Sequence, residues 1–210
     1  MKIPMIKPTL MYIYDPMCSW CWGYRTTWQV LQEKLSSKVE IKYLVGGLAT
    51  DSDEPMPETM QHFLQQTWHN IAEQLGCEFN FDFWRKCQPR RSTYPACRAV
   101  IAAREHGLEQ AMYLAIQQGY YLQAKNPSDN STLTVIASSI GLDANAFGQA
   151  LKSEKVNQQL LTEIAYVRQL PINGFPSLVL AINNQFIAIE LDYKRWKTSY
   201  DSIMEHIKSS

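Results

Sequence analysis

Thr9–Tyr14 (TLMYIY), followed by Asp15-Pro16-Met17-Cys18-Ser19-Trp20-Cys21-Trp22-Gly23, is the stretch that decides the fold. The first run is short, apolar and aromatic, bounded by Pro8 and by Asp15-Pro16, so it reads as a buried strand ending in a turn. From Cys18 the period changes. Cys21, Tyr24, Trp28, Leu31 and Leu35 fall at steps of three and four, along one face of an amphipathic helix. Ser36-Ser37 closes that helix, and Val39–Val45 (VEIKYLV) alternates apolar and polar residues before stopping at Gly46-Gly47. Strand, helix and strand in this order predict a βαβ unit.

The Cys18-Ser19-Trp20-Cys21 segment opens the helix straight after the strand. That position sets the first sulfur at unpaired backbone N–H groups and at the positive end of the helix dipole, both of which favour thiolate over thiol. Three residues along a helix, the Cys21 sulfur lies near the first and is placed to attack a mixed disulfide formed at Cys18. The same spacing also fits half of a zinc site, or two unremarkable thiols. Zinc needs four ligands, usually from a second closely spaced pair, whereas Cys77, Cys87 and Cys97 are isolated and His62, His69, His106 and His206 match no such pattern. The context therefore favours dithiol redox chemistry without a metal.

Beyond Gly46 the strand pattern fades. Helical spacing predicts helices over Pro57–Leu75, Tyr94–His106, Glu109–Ala124, Leu133–Ile140, Ala144–Lys152 and Lys155–Gln169, with a helix cap at Ser131 or Thr132 and an exposed acidic loop over Asp51–Pro57. Strands return at Pro176–Ile182 (PSLVLAI) and Gln185–Leu191 (QFIAIEL), joined as a hairpin by Asn183-Asn184, and Tyr193–Ile207 forms a last helix. A hairpin needs further strands for stability, so it must join the first two strands in one sheet, with the helical block inserted between them. The class is α/β.

Ile172-Asn173-Gly174-Phe175-Pro176-Ser177-Leu178-Val179 places a proline at the mouth of an apolar strand, a position from which a central ladder excludes it. Together with the Cys pair, this resembles the thioredoxin superfamily, whose Val/Ile-x-Gly-x-Pro segment holds a cis-proline facing the Cys-x-x-Cys. The long helical insertion resembles the DsbA-like family, and Asp15–Gly23 is similar to its cytosolic branch of predicted protein-disulfide isomerases, over about Thr9 to Ile207. The resemblance implies a thioredoxin-fold domain over residues 1–46 and 170–210, interrupted by an all-helical insertion domain over 47–169. It also implies that Cys18 attacks, that Cys21 resolves, and that the backbone at Phe175 and Pro176 pairs with an extended substrate. A cis peptide is expected at Phe175-Pro176.

This chain departs from the best-known member in carrying Ser-Trp between the cysteines, with no imidazolium to stabilise a thiolate, and in having no acid within the first strand. Asp15 is the nearest carboxylate, readable either as a proton relay for Cys21 or as a turn residue. Trp20, Trp22, Tyr24 and Trp28 fit a peptide groove or the core, with Trp28 the better core residue and Trp20 the better substrate contact. Cys77, Cys87 and Cys97 read as buried free thiols.

The composition is that of a globular chain: 210 residues, 46% hydrophobic, with 20 basic and 20 acidic side chains. Zero net charge supplies no field for nucleic acid or an anionic membrane, and the cluster Arg85-Lys86 with Arg90-Arg91 is too small to change that. No apolar stretch reaches a membrane-spanning length. The run Leu10–Tyr14 is too short for a signal-peptide core, so a reducing cytoplasm is expected. The expected function is thiol–disulfide exchange on protein or peptide thiols and disulfides, with no cofactor and with glutathione as a further candidate partner. Two rivals remain: a glutathione-dependent isomerase or transferase of the kappa-like relatives, which generally replace the resolving cysteine, and a redox-sensing binding protein without turnover.

Overall fold

A computed structural model describes residues 7–209. Residues 1–6 and 210, which include part of the N-terminal stretch read for export and the outer ends of the expected sheet domain, lie outside the described residues. Within them the chain runs β1 (Thr9–Tyr14), α1 (Ser19–Leu35), β2 (Glu40–Val45), α2 (Glu58–Leu75), α3 (Phe83–Lys86) and α4 (Tyr94–Arg104). It continues through α5 (Glu109–Gln123), α6 (Asn130–Ser139), α7 (Ala144–Leu151), α8 (Glu154–Val167), β3 (Ser177–Ile182), β4 (Gln185–Ile189) and α9 (Trp196–Lys208). This is a thioredoxin fold interrupted by a helical insertion.

The four strands lie in the order β2-β1-β3-β4. β1 pairs parallel with β2, Tyr12 opposite Tyr43, and antiparallel with β3, Tyr12 opposite Leu178. A central strand covered on both faces has no polar side to show, which is why TLMYIY is a continuous apolar run. Alternation along β1 sends Leu10, Tyr12 and Tyr14 into the large core shared with Cys21, Tyr24, Trp28, Leu31 and Leu35 of α1. Met11 and Ile13 go to the opposite face, under Val167 and Leu170 at the end of α8. Asn183 and Asn184 both take positive φ, 48° and 59°, the backbone a two-residue hairpin turn requires of its central pair.

Four local readings change. The short helix α3 escapes any periodicity argument, because four residues are barely a turn. Helix α6 begins earlier than expected, with Asp129 rather than Ser131 or Thr132 at its N-cap; Arg90 holds the Asp129 carboxylate at 2.6 Å and the Ser128 carbonyl at 2.8 Å. Helix α9 begins at Trp196 rather than Tyr193, because the Asp192 carboxylate accepts from the backbone N–H groups of Lys194 and Arg195 and ties those residues into a turn. Cys77 and Cys87 are half-buried; only Cys97 of that trio is enclosed.

An ion-pair network anchors the helical block to the sheet. Arg104 of α4 reaches Glu163 of α8 at 2.6 Å and Glu109 of α5 at 2.7 Å. Glu163 in turn accepts the Val45 backbone N–H at 2.6 Å, fixing the end of β2.

Candidate active site

The site is built where β1 runs out. Past Tyr14 the Asp15 carboxylate folds back to accept the Met17 N–H at 2.8 Å, and the Cys18 N–H donates to the Asp15 carbonyl at 3.0 Å. This turn delivers Cys18 to the N-cap of α1 in extended conformation, φ −77° and ψ 118°. No acidic side chain occupies the helix's first turn, so the positive end of its dipole is not cancelled. Helices from the insertion hold the turn: Tyr121 of α5 donates its hydroxyl to the Met17 carbonyl at 2.8 Å, and the Trp68 indole of α2 donates to Ser19 Oγ at 3.0 Å.

Cys18 keeps 7% of its surface exposed and Cys21 none, so an incoming reagent meets Cys18 first. Both are free cysteines. Burial pushes the Cys21 thiol well above its ordinary range, with Cys18 and the Asp15 carboxyl adding to the effect and the Asp15 backbone N–H opposing it.

The segment before β3 meets this pair. The Phe175–Pro176 peptide is cis, and Cys18 Sγ donates to the Phe175 carbonyl at 3.3 Å. Gly46 makes room for the approach: a Cβ there would collide with the Phe175 ring, so only glycine lets that ring pack over the end of β2. Beside the loop lies a cavity of about 340 Å³ walled by Gly174, Phe175, Pro176, Leu191 and Tyr193. Tyr193 also receives the half-buried Trp20 ring edge-on, centroids 5.1 Å apart. Trp22, Tyr24 and Trp28 do not join this surface; at 3%, 0% and 5% exposure they belong to the core.

Asp15 serves as a turn residue and is also fully enclosed. Its Oδ1 accepts from Met17, while Oδ2 accepts from the Leu48 N–H at 2.7 Å, from Thr93 Oγ1 at 2.7 Å and from Cys97 Sγ at 3.5 Å. Burial raises its pKa, and these donors pull in the other direction without cancelling the shift. The first strand carries no acid, and this buried carboxylate stands one residue beyond its end. Sequence reading missed Tyr193, Thr93 and Cys97, whose contacts with the site span the chain and leave no local pattern.

Among the described residues, no group of His, Cys, Asp and Glu is arranged to hold a metal ion, and no helix is long and apolar enough to cross a membrane.

Comparison with known proteins agrees with the fold. The family model described as the DSBA-like thioredoxin domain matches residues 9–199. A protein of Nitrosomonas europaea, named as a candidate protein disulfide isomerase, superposes with a TM-score of 0.84 at 25% identity, over 97% of this chain and 98% of that one. The cytosolic disulfide reductase DsbM of Pseudomonas aeruginosa superposes with a TM-score of 0.75 at 21% identity, over 96% of this chain and 100% of its own. DsbM has also been solved with GSH. Among curated sequences, the ClpXP adapter protein SpxH of Bacillus subtilis (strain 168) is 24% identical over 176 residues. That match covers 82% of this chain but only 58% of the adapter's length.

Proposed function

Because this chain belongs to the family of DSBA-like thioredoxin domains, we propose that it is a thiol–disulfide oxidoreductase acting on protein or peptide disulfides through Cys18 and Cys21. The observation that carries the proposal is the meeting of three elements. Cys18 stands partly open at a helix N-cap, Cys21 lies enclosed behind it, and the Phe175 carbonyl touches the Cys18 sulfur at 3.3 Å.

In the reducing direction, the Cys18 thiolate attacks one sulfur of a substrate disulfide; a Cys18–substrate disulfide forms and the other substrate sulfur leaves as thiolate. The Cys21 thiol then gives up its proton, attacks the Cys18 sulfur, and expels the second substrate thiolate. Two electrons have passed to the substrate, and Cys18 and Cys21 are joined. Asp15, whose enclosed carboxyl acts electrostatically on the Cys21 thiol and is held at a raised pKa by burial, is the proposed base that takes this proton. Phe175 and Pro176 offer backbone to an extended peptide, and Trp20 with Tyr193 forms the apolar wall next to it. Glutathione, named as the ligand in a DsbM complex, is the proposed recycling thiol, and the cytoplasm the proposed compartment. The resemblance to an adapter protein supports a second reading, in which the fold binds a partner and turns nothing over.

Multiple-turnover reduction of insulin under a glutathione supply decides between them. Catalysis that disappears in Cys18→Ala supports the oxidoreductase; a wild type that performs one stoichiometric exchange and stops overturns it in favour of the binding reading.

A further inference from the structure

A second cavity, of about 740 Å³, opens between α1, the C-terminal end of α2 and α5. It shares no lining residue with the cavity beside the cis-proline. Arg25 and Gln117 give it an unmet chemical demand. The Arg25 guanidinium carbon lies 3.6 Å from the centroid of the Trp22 ring, and its buried Nη1 has no hydrogen-bond partner among the described residues. Burial pulls its pKa down, as expected of a cation lacking a counterion. Gln117 is fully buried; its Nε2 donates to the Tyr113 hydroxyl at 3.1 Å, while Oε1 has no donor among the described residues. A buried acceptor and a buried cationic N–H left open are both unfavourable, so both favour a ligand that supplies the missing atoms.

The partner's chemistry follows from the walls. Arg25 calls for an anionic oxygen, and the Gln117 carbonyl for an N–H or O–H. Arg25 is the one cation among the described lining residues, and Glu33 and Glu78 also line the cavity, which disfavours a polyanion such as a nucleotide and suits an ammonium group. Leu75, Leu114 and Leu122 supply apolar surface for a short side chain. We propose that this cavity binds an amino acid or short peptide as its zwitterion, with the carboxylate on Arg25, an N–H on Gln117 Oε1 and the ammonium toward Glu33 and Glu78. The proposal is independent of the exchange reaction at Cys18.

Cys77, half-buried in the same cavity, serves as the reporter, and Cys87, half-buried outside it, as the control. The rate of maleimide alkylation at each thiol is followed by peptide mass spectrometry on the full chain, with alanyl-leucine, its C-terminal amide and its N-acetyl form as probes. The expected result is that the free dipeptide slows Cys77 at least tenfold at saturation, leaves Cys87 unchanged, and outcompetes both capped forms. Arg25→Gln should weaken its binding at least tenfold, Arg25→Lys should restore part of it, and insulin reduction should remain normal in both. Should Arg25→Gln fail to fold, Gln117→Leu, which removes the Oε1 acceptor, should weaken the dipeptide at least tenfold in a folded protein. Protection of Cys77 by the amide equal to that by the acid, equal protection of Cys87, or no protection into the millimolar range overturns the proposal.

Discussion

Replacing Asp15 with Asn tests the proton relay and the turn together, and the two separate by pH. Asn keeps the shape and one oxygen. Its best orientation leaves that oxygen facing the Leu48 N–H and Thr93 Oγ1, and turns its NH₂ toward the Met17 N–H that Oδ1 now accepts. One buried donor then loses its acceptor, at about 1–3 kcal/mol, or a fall in Tm of about 2–12 °C for a chain of this size. The linkage works as follows. Native Asp15 holds its proton more tightly than the unfolded chain does, so its favourable contribution is complete below its ordinary value of 3.8 and is lost as pH rises through the raised native value. Asn has no such slope, so the stability gap between wild type and D15N narrows as pH is raised from 4 toward neutrality. The kinetic effect runs differently. Quenched-flow trapping of the Cys18 mixed disulfide should show its resolution slowed about 100-fold at pH 7, the lower end of what a positioned base contributes. That deficit should shrink at alkaline pH, where Cys21 ionises unaided. Unchanged resolution at pH 7, alongside the expected loss of Tm, would refute the relay and leave Asp15 as a turn residue.

Other outcomes follow from the same geometry. Cys21→Ala should accumulate mixed disulfides at Cys18 that reductant releases on gels, and equal accumulation in Cys18→Ala would move the reactive thiol elsewhere. Gly46→Ala should cost about 1–3 kcal/mol by driving a methyl group into the Phe175 ring, read as a lower urea midpoint with unchanged slope. Trp20→Ala, which loses the Tyr193 contact, should raise KM for peptide disulfides while leaving exchange with small disulfides intact; equal loss on both would remove Trp20 from the substrate surface. Arg104→Met should cost about 1–3 kcal/mol, since it strips the partner from Glu163 and Glu109, and 1 M salt should not reproduce that loss in the wild type.

What could be read in advance was what a short window contains. The run TLMYIY, the change of period at Cys18, the Asn183-Asn184 turn and the proline before β3 each state their geometry within a few neighbours, and β1 begins and ends where its composition says. The site's supporting contacts belong to another kind of information. Asp15 meets Thr93 and Cys97, Trp20 meets Tyr193, and Met17 meets Tyr121 only after α4, α5 and the last loop have closed around α1. Spacing carries no trace of such pairs. Asp15 illustrates the difference: Asp before Pro announces a turn, while its second oxygen is committed to residues whose identity only the folded chain selects. The start of α6 moved to follow Asp129, which Arg90 holds from outside the segment, whereas α9 starts late because the Asp192 carboxylate ties Lys194 and Arg195 into a turn that helical spacing alone does not announce.

The hydroxyl of Tyr121 on the Met17 carbonyl and the indole of Trp68 on Ser19 bear on how this architecture can change over time. An insertion usually counts as cargo, free to lengthen, shorten or be exchanged while the host domain keeps its chemistry. Here the inserted helices contribute two of the ties that hold the turn in place, through Trp68 and Tyr121, which are also core residues, so trimming them would loosen the cysteines and open the core together. Under the proposed exchange reaction, drift in α2 and α5 is therefore visible to selection. A chimera that imports another helical block must bring a donor for each of those two atoms if the turn is to keep its shape.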